Sequence, residues 1–333
     1  MQVTLCGAPI RLVCGTAYIE SRVVGVFRKL FALSPASVKA DSGADSGIEF
    51  RICDITEEPV TGEVVYDVPE ICVIRTARGY YLRAGESFLS LDLDSGRADG
   101  SLSPEFLDAP LEQQRGLLLF AILMLLSGRG IYPLHAGGAV SPAGHGILLA
   151  GTSGSGKTTL TCALTRSGWS YLSDDSVLLK ATSAGVEAVA FGGPFHCAPA
   201  MFRHFPELCA QANPHESDKR LVEVEPLYPG RLCSRMQPKA ILFPTIVPEF
   251  ASRVIPLSKT ETLVHLLRDG ASRLHSRESM AAQMAALTQL VETARGYRLL
   301  HGADVHRHPQ RVAALIEQLT RSEGDRNAFC FAA

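Results

Sequence analysis

The chain has no excess of basic charge: 32 lysines and arginines stand against 34 acids among 333 residues, a formal charge of −2. A nucleic-acid binder would carry a basic face or stripe, so no nucleic-acid partner is expected. No cysteine pair has CxxC spacing, and the nine cysteines scattered from Cys6 to Cys330 are odd in number and irregularly placed. That argues against both a zinc ribbon and a disulfide framework, and a reduced, cytoplasmic setting fits best. His196, Cys197 and Cys209 lack the paired spacing of a metal site. Long apolar runs are missing too. The most apolar stretch, residues 116–126, falls well short of the roughly 20 residues that cross a bilayer. It reads as a buried helix, and no membrane partner is expected. The first residues lack the charged start, apolar core and small-residue cleavage site of a secretory signal, so no export is expected.

What is present is ordinary for a globular protein, 46% hydrophobic and 20% charged, with length enough for two domains. Residues 135–180 concentrate the chemistry. Within them Gly151, Thr152, Ser153, Gly154, Ser155, Gly156, Lys157 and Thr158, followed by Thr159, match the phosphate-loop pattern G-x-x-x-x-G-K-[ST] in full. In that pattern the glycines let backbone amides turn inward around an anion. The lysine reaches the β- and γ-phosphates, and the final hydroxyl ligates Mg²⁺. The flanks agree: Gly146–Ala150 is a short apolar run fit for a buried strand, and Leu160, Ala163 and Leu164 recur at helical spacing. Strand, glycine loop, helix is the order the motif requires, and ATP with Mg²⁺ is the expected cofactor pair.

Gly168 ends that helix, and the apolar run that follows carries Asp174 and Asp175. The pair lies much nearer the loop than the acidic strand residue of most loop-bearing NTPases. Adjacent strand residues point to opposite faces, so the two acids are expected to divide their tasks, one toward a metal and one toward an acceptor. Upstream, His135 stands at the edge of a Gly-rich apolar segment, where a lone histidine is as a rule a structural residue.

Together, His135, the strand and glycine loop, and the Asp174–Asp175 pair resemble the catalytic domain of HPr kinase/phosphorylase and its shorter relatives. Those relatives include kinase-like proteins found beside peptide-modification systems such as the lasso-peptide systems. The resemblance is specific over residues 130–180 and looser over the rest of the C-terminal half. It implies an α/β fold: a P-loop domain of the HPr kinase/PEP carboxykinase-like type over residues 131–333, behind a β-rich N-terminal domain (1–110) and a connecting helix (111–130). It implies that residues 151–159 hold the nucleotide phosphates and that Thr158 and Asp174 hold Mg²⁺ or its waters. Asp175 would take the proton of an acceptor hydroxyl, with His135 against that carboxylate and the γ-phosphate, and Lys157 completes the catalytic set. The pattern departs after the acids. Where the bacterial kinases carry a glycine- and asparagine-containing signature with a metal-assisting Glu, this chain has Phe191–Cys197 and no counterpart of that Glu. The resemblance also implies a homo-oligomer, for which no contact segment is identifiable.

Residues 1–110 read as short strands (Val3–Tyr18, Ile48–Ile55, Glu63–Asp67, Ile71–Thr76, Tyr80–Arg83). An amphipathic helix over Arg22–Leu33, a loop over Ser34–Ser46 and hairpin turns at Thr76–Gly79 and Asp94–Gly96 interrupt them. No catalytic constellation appears there, and the half reads as a scaffold or an acceptor-docking module. A helix over Pro110–Ser127 follows. Beyond Lys180 the expectations are a strand at Ala188–Phe191, short helices within Pro199–Ala212, and a loop over Asn213–Asp218. The basic pair Lys219–Arg220 closes over phosphates, meets an acidic acceptor, or is a solvated edge. A central strand at Lys239–Phe243 comes next, then a capping box from Ser258 to Glu261 and a helix over Met280–Ala294. A last strand at Gly296–Leu300 and an amphipathic helix over Pro309–Leu319 with proline in its first turn complete the series. The tail from Ser322 is expected to fray.

The activity expected is an ATP- and Mg²⁺-dependent kinase passing the γ-phosphate to a serine-type hydroxyl of a peptide or protein, a ribosomal lasso precursor peptide among the candidates. The alternatives are a small-molecule kinase of the free-serine type and a nucleotide-binding regulatory ATPase with no acceptor.

Overall fold

A computed structural model describes residues 1–5, 8–30, 38–39, 47–213, 219–270 and 277–321. Most of the loop expected over 34–46, the loop over 214–218 and the tail from Ser322 lie outside the described residues. The architecture is mixed α/β, in two compact units: Met1–Tyr132 with Leu274–Met280, and Pro133–Arg273 with Ala281–Ala333.

The first unit contains β1 (Gln2–Leu5), β2 (Ala8–Cys14), α1 (Ala17–Leu30), β3 (Val38–Lys39) and β4 (Ile48–Ile52). A meander follows: β5 (Glu63–Val68), β6 (Ile71–Arg75), β7 (Gly79–Ala84), β8 (Ser87–Asp92) and β9 (Arg97–Ser101). Helices α2 (Pro104–Asp108) and α3 (Leu111–Ser127) close it. The strands form one nine-stranded sheet in which β2, β4 and β9 are parallel neighbours and β9 through β5 alternate in direction. The two-residue period of the pleat sets its core: Ile10 and Leu12 of β2, and Ile48, Phe50 and Ile52 of β4, are buried. Phe27 of α1 meets Phe50 edge to face at 5.6 Å. This helix begins at Ala17, ahead of the expected Arg22, so Tyr18 is helical and not the end of a strand. The cause is local: the Thr16 hydroxyl accepts from the Ile19 amide at 3.2 Å as an N-cap. Strand β9, Arg-Ala-Asp-Gly-Ser, escaped the sequence reading because its residues have poor strand propensity; pairing on both flanks overrides it. Helix α3 buries Leu117, Leu118, Ile122 and Leu125. No helix among the described residues is long and apolar enough to cross a membrane.

The chain continues through β10 (Ile131–Leu134), β11 (Ala136–Val140), β12 (Gly146–Ala150), α4 (Lys157–Arg166) and β13 (Ser170–Ser173). Next come β14 (Val177–Thr182), β15 (Gly185–Ala190), β16 (Phe195–Cys197), two 3-10 turns over Pro199–Arg203 and Pro206–Gln211, β17 (Ala212–Asn213) and β18 (Arg220–Val222). The remainder is β19 (Arg235–Met236), β20 (Pro238–Ile246), β21 (Arg253–Pro256), α5 (Lys259–Asp269), α6 (Arg277–Thr293), β22 (Arg295–His301), α7 (Asp304–Arg307) and α8 (Pro309–Thr320). Ser258 and Glu261 form the expected capping box of α5.

The six-stranded sheet of this unit has the order β13-β11-β12-β20-β22-β21. Strands β12, β20 and β22 are parallel; β11 runs antiparallel to both β12 and β13, and β21 antiparallel at the far edge. Both faces are covered, so β12 alternates between two cores: Ile147 and Leu149 pack with Leu160 of α4 and Ile316 of α8, and Leu148 with Leu266 of α5 and Leu287 of α6. Truncating Leu149 to alanine would cost about 2–5 kcal/mol. Pro244 lies within β20, not after it. Pairing with β12 reaches only Leu242, so Pro244 sits where that flank has no ladder for it to interrupt.

One expectation is corrected. Asp174 and Asp175 do not occupy successive strand positions: β13 stops at Ser173 and β14 starts at Val177. The pair lies in a bend pinned by the Ser173 hydroxyl, which accepts from the amides of Asp175 (3.3 Å) and Ser176 (3.2 Å). The acids differ because of this turn, not because of the pleat.

Candidate active site

The sheet topology sends the carboxyl ends of β13, β12, β20 and β22, and the start of β11, to one edge. In open α/β sheets that edge is where ligands bind. The three neighbouring strands β13, β11 and β12 deliver the acids, His135 and the glycine loop to it. The His135 amide donates to the Gly270 carbonyl at 2.9 Å. Gly137, just inside β11, allows the close approach. A Cβ there would stand 2.9 Å from the Asp174 carbonyl oxygen and 3.1 Å from the Thr161 hydroxyl.

In the loop, the Lys157 ammonium donates to the carbonyls of Gly151 (2.8 Å) and Thr152 (3.1 Å) and to His135 Nε2 (3.0 Å). Asp175 Oδ1 lies 3.8 Å from the same ammonium and 3.4 Å from His135 Nδ1. Burial lowers the pKa of Lys157, opposed chiefly by the Asp175 charge. Burial likewise holds His135 below its usual value, with Asp175 pulling the other way. With Nε2 accepting from the ammonium, the proton of the neutral ring sits on Nδ1 and faces Asp175.

Gly156 caps α4 with φ of 101°, a left-handed conformation that glycine adopts without strain. A second constraint falls on the same position: a Cβ would stand 2.2 Å from His301 Nε2. That nitrogen donates to the Ser155 carbonyl at 3.1 Å, tying the end of β22 to the loop. Burial lowers the pKa of His301, in keeping with a neutral ring.

Asp174 is 2% exposed. Its Oδ2 accepts from the Thr158 hydroxyl (2.9 Å) and the His196 amide (3.0 Å). Burial, then the neighbouring Asp175 charge, push its pKa up to about 6. A buried carboxylate beside a hydroxyl, with no ion pair to it among the described residues, suits a divalent ion that also takes phosphate oxygens, the habit of Mg²⁺. Among the described residues no group of three or more His, Cys, Asp or Glu is placed to hold a metal.

A cavity of about 250 Å³ opens against the loop, lined by Ser153, Gly154, Thr158 and Thr159 together with Asp175 and Lys219. Its remaining wall includes His204, Ile246 and His306. Of the expected basic pair, Lys219 lines the cavity while Arg220 sits over the Phe202 ring at 5.5 Å. Sequence reasoning missed His301, His204, Ile246 and His306. His301 lies one residue past the expected strand Gly296–Leu300, but its nearness to the loop follows only once β22 is known to run parallel to β20.

No family model matches the chain, and no curated protein matches it. Among solved structures, the Hpr(Ser) kinase/phosphatase from Coxiella burnetii aligns with 56% of this chain and 93% of its own at 13% identity, with a TM-score of 0.29. A likeness of that size carries neither the fold nor the activity.

Proposed function

We propose that the chain is an ATP- and Mg²⁺-dependent phosphotransferase that phosphorylates a serine-type hydroxyl of a peptide or protein. The observation that carries this reading is the convergence of Lys157, His135 and Asp175 at one end of a glycine loop, with Asp175 about one-third exposed in the cavity beside it. Phosphoryl transfer asks for positioning and charge neutralisation more than covalent help. The loop amides at the start of α4 point to where anionic oxygens bind. The Lys157 ammonium, now donating to two loop carbonyls, is the donor a terminal phosphate would take over.

Asp175 orients the incoming hydroxyl and accepts its proton as the new O–P bond forms and the bond from the γ-phosphorus to the bridging oxygen breaks, releasing ADP. An alcohol is far less acidic than a carboxyl group, so the proton moves late. The ring proton of His135 on Nδ1 faces the Asp175 carboxylate at 3.4 Å and aims it. Thr158 and Asp174 would hold Mg²⁺, which when bound neutralises charge on the phosphates. Lys219 adds a second cation to the cavity wall. The resemblance of residues 130–180 to kinases of peptide-modification systems makes a ribosomal precursor peptide the first acceptor to try.

The test is transfer from γ-labelled ATP to peptides, proteins and free serine. Label on a serine hydroxyl that disappears in Asp175→Asn, while nucleotide affinity survives, is the expected result. Label only on free serine would favour a small-molecule kinase. Phosphate release with no labelled acceptor would leave a regulatory ATPase, and undiminished transfer by Asp175→Asn would remove the base assignment.

A further inference from the structure

The cavity extends past the residues that phosphates require. In a loop of this pattern the lysine marks the β/γ end and the backbone amides the α/β end, so the nucleotide must leave the loop on the side away from Lys157 and Asp175. That side is built by β20 and β22, which flank β12 opposite to β11 and β13. Ile246 ends β20, and His306 follows β22 in α7. Both line the same cavity as Lys157 and Asp175, as does His204.

The chemistry of this end is wrong for phosphate and right for a ring. His204 and His306 stack at 4.0 Å with planes 13° apart, and Phe205 closes edge-on to His306 at 5.9 Å. His306 Nδ1 is buried and makes no hydrogen bond among the described residues. Burial and the neighbouring His204 push its pKa down to about 4, so it is uncharged at neutral pH. The wall is also stiff: the His204 carbonyl accepts from Arg166 Nη1 at 3.0 Å, and Arg166 holds Glu207 through both carboxylate oxygens at 2.6 Å. Ile246 is 61% exposed, an apolar side chain left without a cover beside an aromatic pair.

We infer that this end of the cavity is a nucleobase subsite, in which His204, backed by His306, stacks on the ring of the bound nucleotide and Ile246 adds apolar contact. The inference rests on the phosphate-loop reading above and extends it to what the protein recognises beyond the phosphates.

Calorimetric titration of the full chain with Mg²⁺·ATP and with Mg²⁺·tripolyphosphate separates the two. ATP is expected to bind about tenfold more tightly, the scale of one base stacked on a side-chain ring. His204→Ala should bring ATP to near parity with tripolyphosphate while the affinity for tripolyphosphate stays as it was. His204→Phe should keep the preference. Ile246→Ala, at an exposed position that folding does not depend on, should lose a smaller part of it, and unchanged tripolyphosphate binding certifies each variant as folded. Equal affinity of the unmodified protein for both ligands, or an ATP preference that survives both alanine variants, overturns the subsite alone. Binding of neither ligand overturns the phosphate-loop reading and the subsite with it.

Discussion

Both units contain three parallel strands whose carboxyl ends share an edge, yet the two edges differ in chemistry. In the first unit β2, β4 and β9 end together, and the reactive groups there are the thiols of Cys14 and Cys53. Burial, with Glu20 adding, pushes the Cys14 thiol up to about 11. It stays protonated at neutral pH and is a poor nucleophile. In the second unit β12 ends in a glycine loop that feeds a helix N-terminus, with an imidazole and two carboxylates beside it. Parallel topology supplies the edge; a loop that exposes amides, with an ammonium, an imidazole and two carboxylates beside it, supplies the chemistry.

The comparison breaks most sharply at Lys157. Replacing it by alanine removes the buried ammonium that joins loop, imidazole and acid, and transfer should fall by more than about 10³-fold, with loss of measurable ATP affinity by calorimetry. Unchanged affinity would mean that the Lys157 ammonium takes no phosphate of the nucleotide. Asp175→Asn is next: transfer should fall by about 10²- to 10³-fold with ATP affinity kept, read from initial rates beside a binding isotherm.

Asp174→Asn sharpens the contrast through pH. The pKa of Asp174 is raised in the fold, so its contribution to stability is full below the ordinary value of 3.8 and is lost as pH rises through about 6. Without nucleotide or metal, the asparagine variant should be the more stable protein at pH 8, on the order of 3 kcal/mol. The difference should shrink through pH 6 and vanish below pH 4 in urea denaturation. The same variant should bind Mg²⁺·ATP worse, stability and function trading at one carboxyl group. A stability difference independent of pH would show that Asp174 is not ionised at a cost in the fold.

The central span was legible because its pieces are local. The G-x-x-x-x-G-K-[ST] spacing defines loop and helix within nine residues, and His135 and the acids adjoin the ends of β11 and β13, strands beside the one that feeds that loop. His301 and Ile246 reach the site only through the order of parallel strands, and His204 through a pair of 3-10 turns, which short-range patterns do not encode. The bend at Asp174 was hidden for another reason: Leu172 and Val177 on either side read as one apolar run, and only the Ser173 hydroxyl, bonding two amides, breaks it.

Gly156→Ala tests how far the second edge depends on its backbone. A non-glycine residue at φ of 101° carries a strain of about 1–3 kcal/mol, and the new Cβ also meets the His301 ring. The two contributions separate in a double-mutant cycle. Adding His301→Ala should recover the steric part and leave the conformational part, so the pair should destabilise by less than the sum of the singles in denaturant unfolding. Strict additivity would place the imidazole away from the loop.

The smallest effect is expected at the first edge. Cys14→Ser exchanges a half-buried thiol for a hydroxyl of similar size and should change stability by no more than about 1 kcal/mol. If the first unit's edge is chemically idle, ATP affinity and transfer rate in this variant should match the unmodified protein within error. A loss of transfer with folding intact would show that the parallel trio of the first unit takes part in the reaction.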